Sequence, residues 1–148
     1  MRWRHEDFAL TRSHRPPVWQ SHIGASEAIG CIYRWGVGVA IDYARAMAAY
    51  KIGGEGGDAG CQWQVGFMYY RGLGVAVEFK QALLWIEKAA AQDLPSAVGQ
   101  LGAMYARGKG VTPSWRRARE LYRRAIELGN SQAVKSMQNL TSDIQKVS

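Results

Sequence analysis

The stretch YYRGLGVAVEF, running from Tyr69 to Phe79, decides the fold. Two glycines separated by one residue can cradle a phosphate, but such a loop needs a strand before it and a Lys-Ser/Thr pair after it. Neither is present. The stretch instead recurs as YRWGVGVAIDY from Tyr33 and YARGKGVTPSW from Tyr105, spaced by 36 residues each time. A fixed period of about 20–50 residues is the signature of a solenoid. The glycines therefore read as structural turns.

Aligning the chain on itself at this period extends the agreement. Gly30, Gly66 and Gly102 coincide, followed by Tyr33, Tyr69 and Tyr105. Next come Gly36, Gly72 and Gly108, then Gly38, Gly74 and Gly110, then Val39, Val75 and Val111. Aromatics recur at Tyr43, Phe79 and Trp115, and alanines at Ala46, Ala82 and Ala118. Each unit reads as two helices. The first spans about 25–35, 61–71 and 97–107, with Cys61, Val65, Met68 and Tyr69 at helical spacing. Gly36, Gly72 and Gly108 stop it, because glycine enters the left-handed conformation without a Cβ penalty. The valine of each turn is expected to plug the space between paired helices. The second helix is expected to start near Ala40, Ala76 and Thr112, with Thr112 as N-cap and Pro113 as first helical residue. Asp42 and Glu78 then fall in the first turn, where the helix dipole favours negative charge. Gly57, Asp93 and Gly129 occupy the stop.

This pattern resembles the Sel-1-like repeat family, a branch of the tetratricopeptide-like α-solenoids. CQWQVGFMYYRGLGVAVEFKQALLWIEKAAAQDL follows the family pattern almost throughout, and Ala97–Gly129 also fits well. The first copy departs at KIGGEGGD, where the family has a lysine and alanines. The resemblance implies an all-α, right-handed α-solenoid of antiparallel helix pairs. Its repeats cover about 23–58, 59–94 and 95–130, with a partial, capping unit over 131–148. Residues 1–22 form an N-terminal extension outside the repeats. A short helix is possible around Glu6–Thr11, Pro16 and Pro17 bar one further on, and the extension is expected to cover the first helix. The family implies a scaffold that gathers other proteins and implies no catalytic residue. One cysteine-rich branch pairs a cysteine in the Lys-Ala-Ala segment with one at the start of the next repeat. Cys61 stands at the second position and Gly54 at the first, so that bridge cannot form. Cys31 and Cys61 are expected to be free thiols.

Composition sets further bounds. The 148 residues are 47% hydrophobic and 21% charged, as in a globular domain. No apolar run nears the roughly 18 residues that span a bilayer, so membrane insertion is not expected. The first residues lack the apolar stretch of a signal peptide. A cytoplasmic or other reducing compartment follows as the expectation. His5, His14 and His22 match no metal motif, and no nucleophile–base pair or carboxylate pair occurs at suitable spacing. No enzymatic activity, metal or cofactor is therefore expected.

The formal charge is +7. Seven basic residues against Glu120 crowd 107–124. Nucleic-acid or acidic-partner binding through this third repeat is the alternative function. Arg116 with Glu120 and Arg123 with Glu127 fall at helical pairing distance, which favours a solvated face instead. Gly54 and Gly56 lie inside the second helix of repeat one, where each glycine costs about 1 kcal/mol relative to alanine, and are expected to loosen it.

The partner site is expected on the concave face. On a wheel of about 100° per residue, with Trp63 at zero, Phe67 falls near about 40° and Tyr70 near about 340°. Cys61, Val65 and Met68 lie opposite. The equivalents of this stripe are Glu27, Cys31 and Arg34 in repeat one, and Gly99, Ala103 and Ala106 in repeat three. Those small residues would leave a shallow floor, with Arg34, Arg71 and Arg107 on the rim. Three occupants of the stripe remain open: a partner protein or peptide in the groove, Val18 and Trp19 of the chain's own N-terminal extension, or ordinary core packing on Ala103.

Overall fold

The computed structural model describes residues 24–147. Seven helices follow one another: α1 (Ala25–Trp35), α2 (Tyr43–Glu55), α3 (Ala59–Arg71), α4 (Phe79–Ala91), α5 (Pro95–Arg107), α6 (Trp115–Glu127) and α7 (Gln132–Val147). No strand occurs among the described residues. Each helix packs on the next in chain order, and first helices of successive repeats also meet, α1 with α3 and α5 with α7. The result is an all-α solenoid. The expectations for residues 1–22, a short helix around Glu6–Thr11, none at Pro16 and Pro17, and a contact with the first helix or the groove, fall outside the described residues.

The repeated residues do the same work in each unit. Gly36, Gly72 and Gly108 end the first helices in the left-handed region, at φ 69°, 72° and 67°. The chain then runs extended to a fixed anchor. The backbone amides of Asp42, Glu78 and Ser114 donate to the carbonyls of Tyr33, Tyr69 and Tyr105 at 2.8, 3.0 and 3.0 Å. That anchor sets the second helices to begin at Tyr43, Phe79 and Trp115, later than expected. Asp42 is consequently an N-cap, accepting from the Arg45 amide at 3.1 Å. Ser114, not Thr112, caps α6. Pro113 is not helical; it packs on Gly108, where a Cβ would lie 2.5 Å from its Cγ.

Gly66 is fitted under Ile86, and Gly102 under Tyr122. Ala46, Ala82 and Ala118 are fully buried. The core has two clusters. One joins Ala46, Met47 and Tyr50 to Cys61, Val65 and Met68; the other runs from Ala82 and Ile86 through Leu101 and Met104 to Ala133 and Leu140. Such layering makes stability a property of stacked neighbours.

The end of the stack behaves differently. Ile29 and Ile32 are 47% and 37% exposed, whereas Val65 and Met68, one period later, are fully buried. The valine plug fails at the same end. Val75 packs on the cluster shared by repeats one and two, whereas Val39 is 44% exposed.

The glycine-rich end of α2 also corrects an expectation. The helix reaches Glu55, as long as α4 and α6 at 13 residues. Gly54 is buried; a Cβ there would lie 2.9 Å from Trp85, and its carbonyl accepts from Gln62 Nε2 at 3.0 Å. It is a packing glycine rather than a loosening one. The position facing Cys61 is Gly53, whose ideal Cβ lies 3.1 Å from the Cys61 Cβ. The vacant bridge partner is thus Gly53, one residue before Gly54. Cys31 and Cys61 are both free.

Candidate functional site

The first helices α3, α5 and α7 together line a groove of about 400 Å³. One wall is aromatic. Trp63, Phe67 and Tyr70 all face it, as their shared side of α3 requires. Trp63 and Phe67 rings stand 5.3 Å apart at 30°. Tyr70 sets its ring edge-on to Phe79 at 5.3 Å. All three are half-buried, and Trp63 and Phe67 belong to neither core cluster. The floor is Gly99 and Ala103 of α5. A Cβ at Gly99 would lie 2.6 Å from Asn130 Nδ2, which is itself held by the Pro95 carbonyl at 3.0 Å. Ala106 does not line the groove; it packs on the larger core cluster.

The arginines divide. Arg107 closes one end by donating to the Tyr70 hydroxyl at 3.2 Å, crossing from α5 to α3. Arg71 is exposed and lies 5.6 Å from the Phe67 ring centre. Arg34 is not on the rim. It is 7% exposed, bonded to Gln64 Oε1 and placed 4.7 and 5.0 Å from the Trp35 and Phe67 rings. A helical wheel gives direction but not depth, and the broad guanidinium has stacked on ring faces.

Two features escaped the sequence reading. Trp63 Nε1 is buried and has no hydrogen-bond partner among the described residues. The far wall comes from Gln132, Ala133 and Ser136 of α7. Extending the 36-residue register from Ser96 and Gln100 would have found Gln132 and Ser136.

The basic third repeat arranges itself otherwise than expected. Glu120 pairs with Arg117 at 3.4 Å instead of Arg116, and Arg124 pairs with Asp93 of the preceding repeat. A cavity of about 520 Å³ beside them, between α4, α5 and α6, mixes these arginines with Glu87, Asp93 and Glu120. Both of its arginines are paired, Arg117 with Glu120 and Arg124 with Asp93. No group of three metal-ligating side chains occurs among the described residues. No described helix is long and apolar enough to cross a membrane.

Comparison with known proteins agrees with this architecture. A family model for the Sel1 repeat matches residues 25–58, 59–94 and 95–130. No curated protein matches the chain. Among solved structures, a Sel1 repeat protein from Oxalobacter formigenes is 28% identical, with a TM-score of 0.74 over 89% of this chain and 53% of that one. A protective antigen present in uropathogenic Escherichia coli strains, displaying an SLR fold, is 34% identical, with a TM-score of 0.77 over 84% of this chain and 27% of that one. The chain thus spans about half and about a quarter of these two relatives. Helicobacter pylori cysteine rich protein B shares the fold at 18% identity, with a TM-score of 0.66 over 88% of this chain and 94% of that one. Sel1 repeats are in general protein–protein interaction modules and typically non-catalytic. With three matched repeats covering most of its length, the chain belongs to the Sel1 repeat family.

Proposed function

We propose that this chain is a non-catalytic scaffold that holds a segment of a partner protein in the groove between α3, α5 and α7. The observation that carries the reading is the half-buried wall of Trp63, Phe67 and Tyr70 beside the Gly99 and Ala103 floor. Clustered aromatics with arginine at the margin are typical of binding hot spots. Small floor residues let a peptide backbone approach closely. The paired charges around Arg117 and Arg124 favour this groove over the basic third repeat as the site.

The test is a random peptide library selected on the full chain and on a Trp63→Ala, Tyr70→Ala double variant. Selected peptides should lose binding on the variant while its melting temperature stays close to that of the parent. Peptides that bind both proteins equally would place the site elsewhere. A variant that melts far lower would make the stripe ordinary core, since truncating a buried aromatic costs about 3–5 kcal/mol.

A further inference from the structure

We propose that the segment held in this groove is acidic, with a carboxylate placed between Arg71 and Arg107 and a backbone carbonyl accepting from Trp63 Nε1. The inference rests on reading the groove as the partner site and adds the chemistry of what it takes. Charge is the first argument. The described residues lining the groove include two arginines and no aspartate or glutamate. Arg71 and Arg107 are the last residues of α3 and α5, one period apart, and so stand at the same end of the groove. Among the described residues only the Tyr70 hydroxyl hydrogen-bonds Arg107, and it takes one of the five guanidinium donors. Arg34 adds to the same field from below. It is 7% exposed and shares the Phe67 ring with Arg71, and no described carboxylate pairs with it.

The unpartnered indole is the second argument. Trp63 Nε1 can only donate, and a buried donor without an acceptor is costly. An extended peptide presents a carbonyl about every other residue on each side, and a turn of the half-buried indole toward the Gly99 and Ala103 floor would bring its covered Nε1 to one.

A nucleic acid fits less well. Bases need free ring faces and a basic track along the backbone. Here Phe67 has Trp63 at 5.3 Å and guanidinium groups at 5.0 and 5.6 Å, and the exposed arginines of the groove sit at one end only.

The experiment measures fluorescence anisotropy of labelled peptides on the full chain: an alternating glutamate–alanine peptide, its glutamine isostere, its lysine counterpart and a short oligouridylate. The glutamate peptide should bind at least about tenfold tighter than the glutamine isostere. Arg71→Gln and Arg107→Gln should each weaken it about three- to tenfold without altering glutamine-peptide binding. Trp63→Phe, which keeps the ring and removes the donor, should weaken both peptides by about threefold or more. Arg119→Gln, an exposed change on α6, should leave affinity within about twofold. Equal affinity for the glutamate and glutamine peptides would overturn the acidic assignment while leaving the groove as partner site. Binding by none of the peptides would overturn both. An equal loss with Arg119→Gln would reduce the effect to the +7 charge of the whole chain. Preference for oligouridylate with the same Arg71 and Arg107 dependence would assign the site to RNA.

Discussion

Replacing Gly66 by alanine tests whether the helices of each repeat meet as closely as the structure shows. Alanine is the better helix former by about 1 kcal/mol, so propensity alone makes Gly66→Ala stabilising. The packing opposes this. A Cβ at Gly66 would lie 2.5 Å from Ile86 Cγ1 and 3.1 Å from the Ala82 carbonyl oxygen. Ordinary carbon contacts are about 3.5–4.0 Å. Ile86 is fully buried and must yield by about 1 Å, while the carbonyl belongs to α4 and can move only with the helix. Overpacking of this kind costs about 1–3 kcal/mol. With main chain involved, the cost belongs near about 3, and the net loss near about 2 kcal/mol after the propensity gain. For a chain of this size that lowers the melting temperature by about 4–8 °C. Gly56→Ala is the control. It caps α2 at φ −75° and its Cβ would meet nothing closer than 3.4 Å, so it should stabilise by about 0.4–1 kcal/mol. Urea titrations followed by circular dichroism at the helical minimum read both variants. Gly66→Ala at or above the parental midpoint would refute the close approach of α3 and α4.

The same register supplies further tests. Gly74→Val should cost more than Gly38→Val, because both glycines hold positive φ but only Gly74 would drive its Cβ to 2.5 Å from Tyr43; equal melting temperatures would count against the turn geometry. Met68→Ala should cost about 2–5 kcal/mol and Ile32→Ala less than about 1 kcal/mol, although they share a register position, as equilibrium unfolding would show. Thiol titration of the denatured, unreduced protein should count both cysteines, while native Cys61 reacts slowly, since burial and the Asp58 hydrogen bond push its thiol up. Burial, and then the Asp58 carboxylate, hold Glu27 above the ordinary carboxylate range. A raised folded-state value favours the protonated acid, so its contribution is present at low pH and lost as pH rises through that value. Stability of Glu27→Gln relative to the parent should therefore increase between about pH 4 and 7, and a flat difference would contradict it.

The fold was legible because its determinants repeat. Gly66, Gly72, Ala82 and their equivalents serve one backbone geometry three times, so counting at 36 residues finds them without any knowledge of contacts. The misplaced helix starts show where local signals mislead. Thr112-Pro113 is a strong start in isolation, yet the Ser114 amide is tied to the Tyr105 carbonyl, and that tertiary bond fixes the helix at Trp115. Helical spacing named Arg116 for Glu120, which meets Arg117 instead, and gave no partner for Arg124, which Asp93 reaches from the neighbouring repeat. At the groove, the direction of Trp63, Phe67 and Tyr70 could be read from one helix alone. Burial of Arg34 and isolation of Trp63 Nε1 could not, since both depend on what the adjoining helices put against them.

The groove and the fold draw on opposite parts of the repeat. A solenoid whose units were identical would present the same residue at every Trp63 position, and tryptophan in all three would fill the groove between the first helices. The chain instead places Glu27, Trp63 and Gly99 at that register, and Cys31, Phe67 and Ala103 at the next. The aromatic wall therefore stands beside a floor that has almost no side chain, and α7 supplies the far side with Gln132 and Ser136. Gly99 cannot be enlarged without displacing Asn130, whose amide is already bound to the Pro95 carbonyl. The depth of the groove is thus fixed by main-chain contacts of the third repeat, while its aromatic surface belongs to the second. Arg71 and Arg107 have Trp35 as their counterpart in the first repeat, so the cationic end also begins at repeat two. Periodic positions hold the helices in register; the positions that break the period make one place on the face of the first helices unlike the rest.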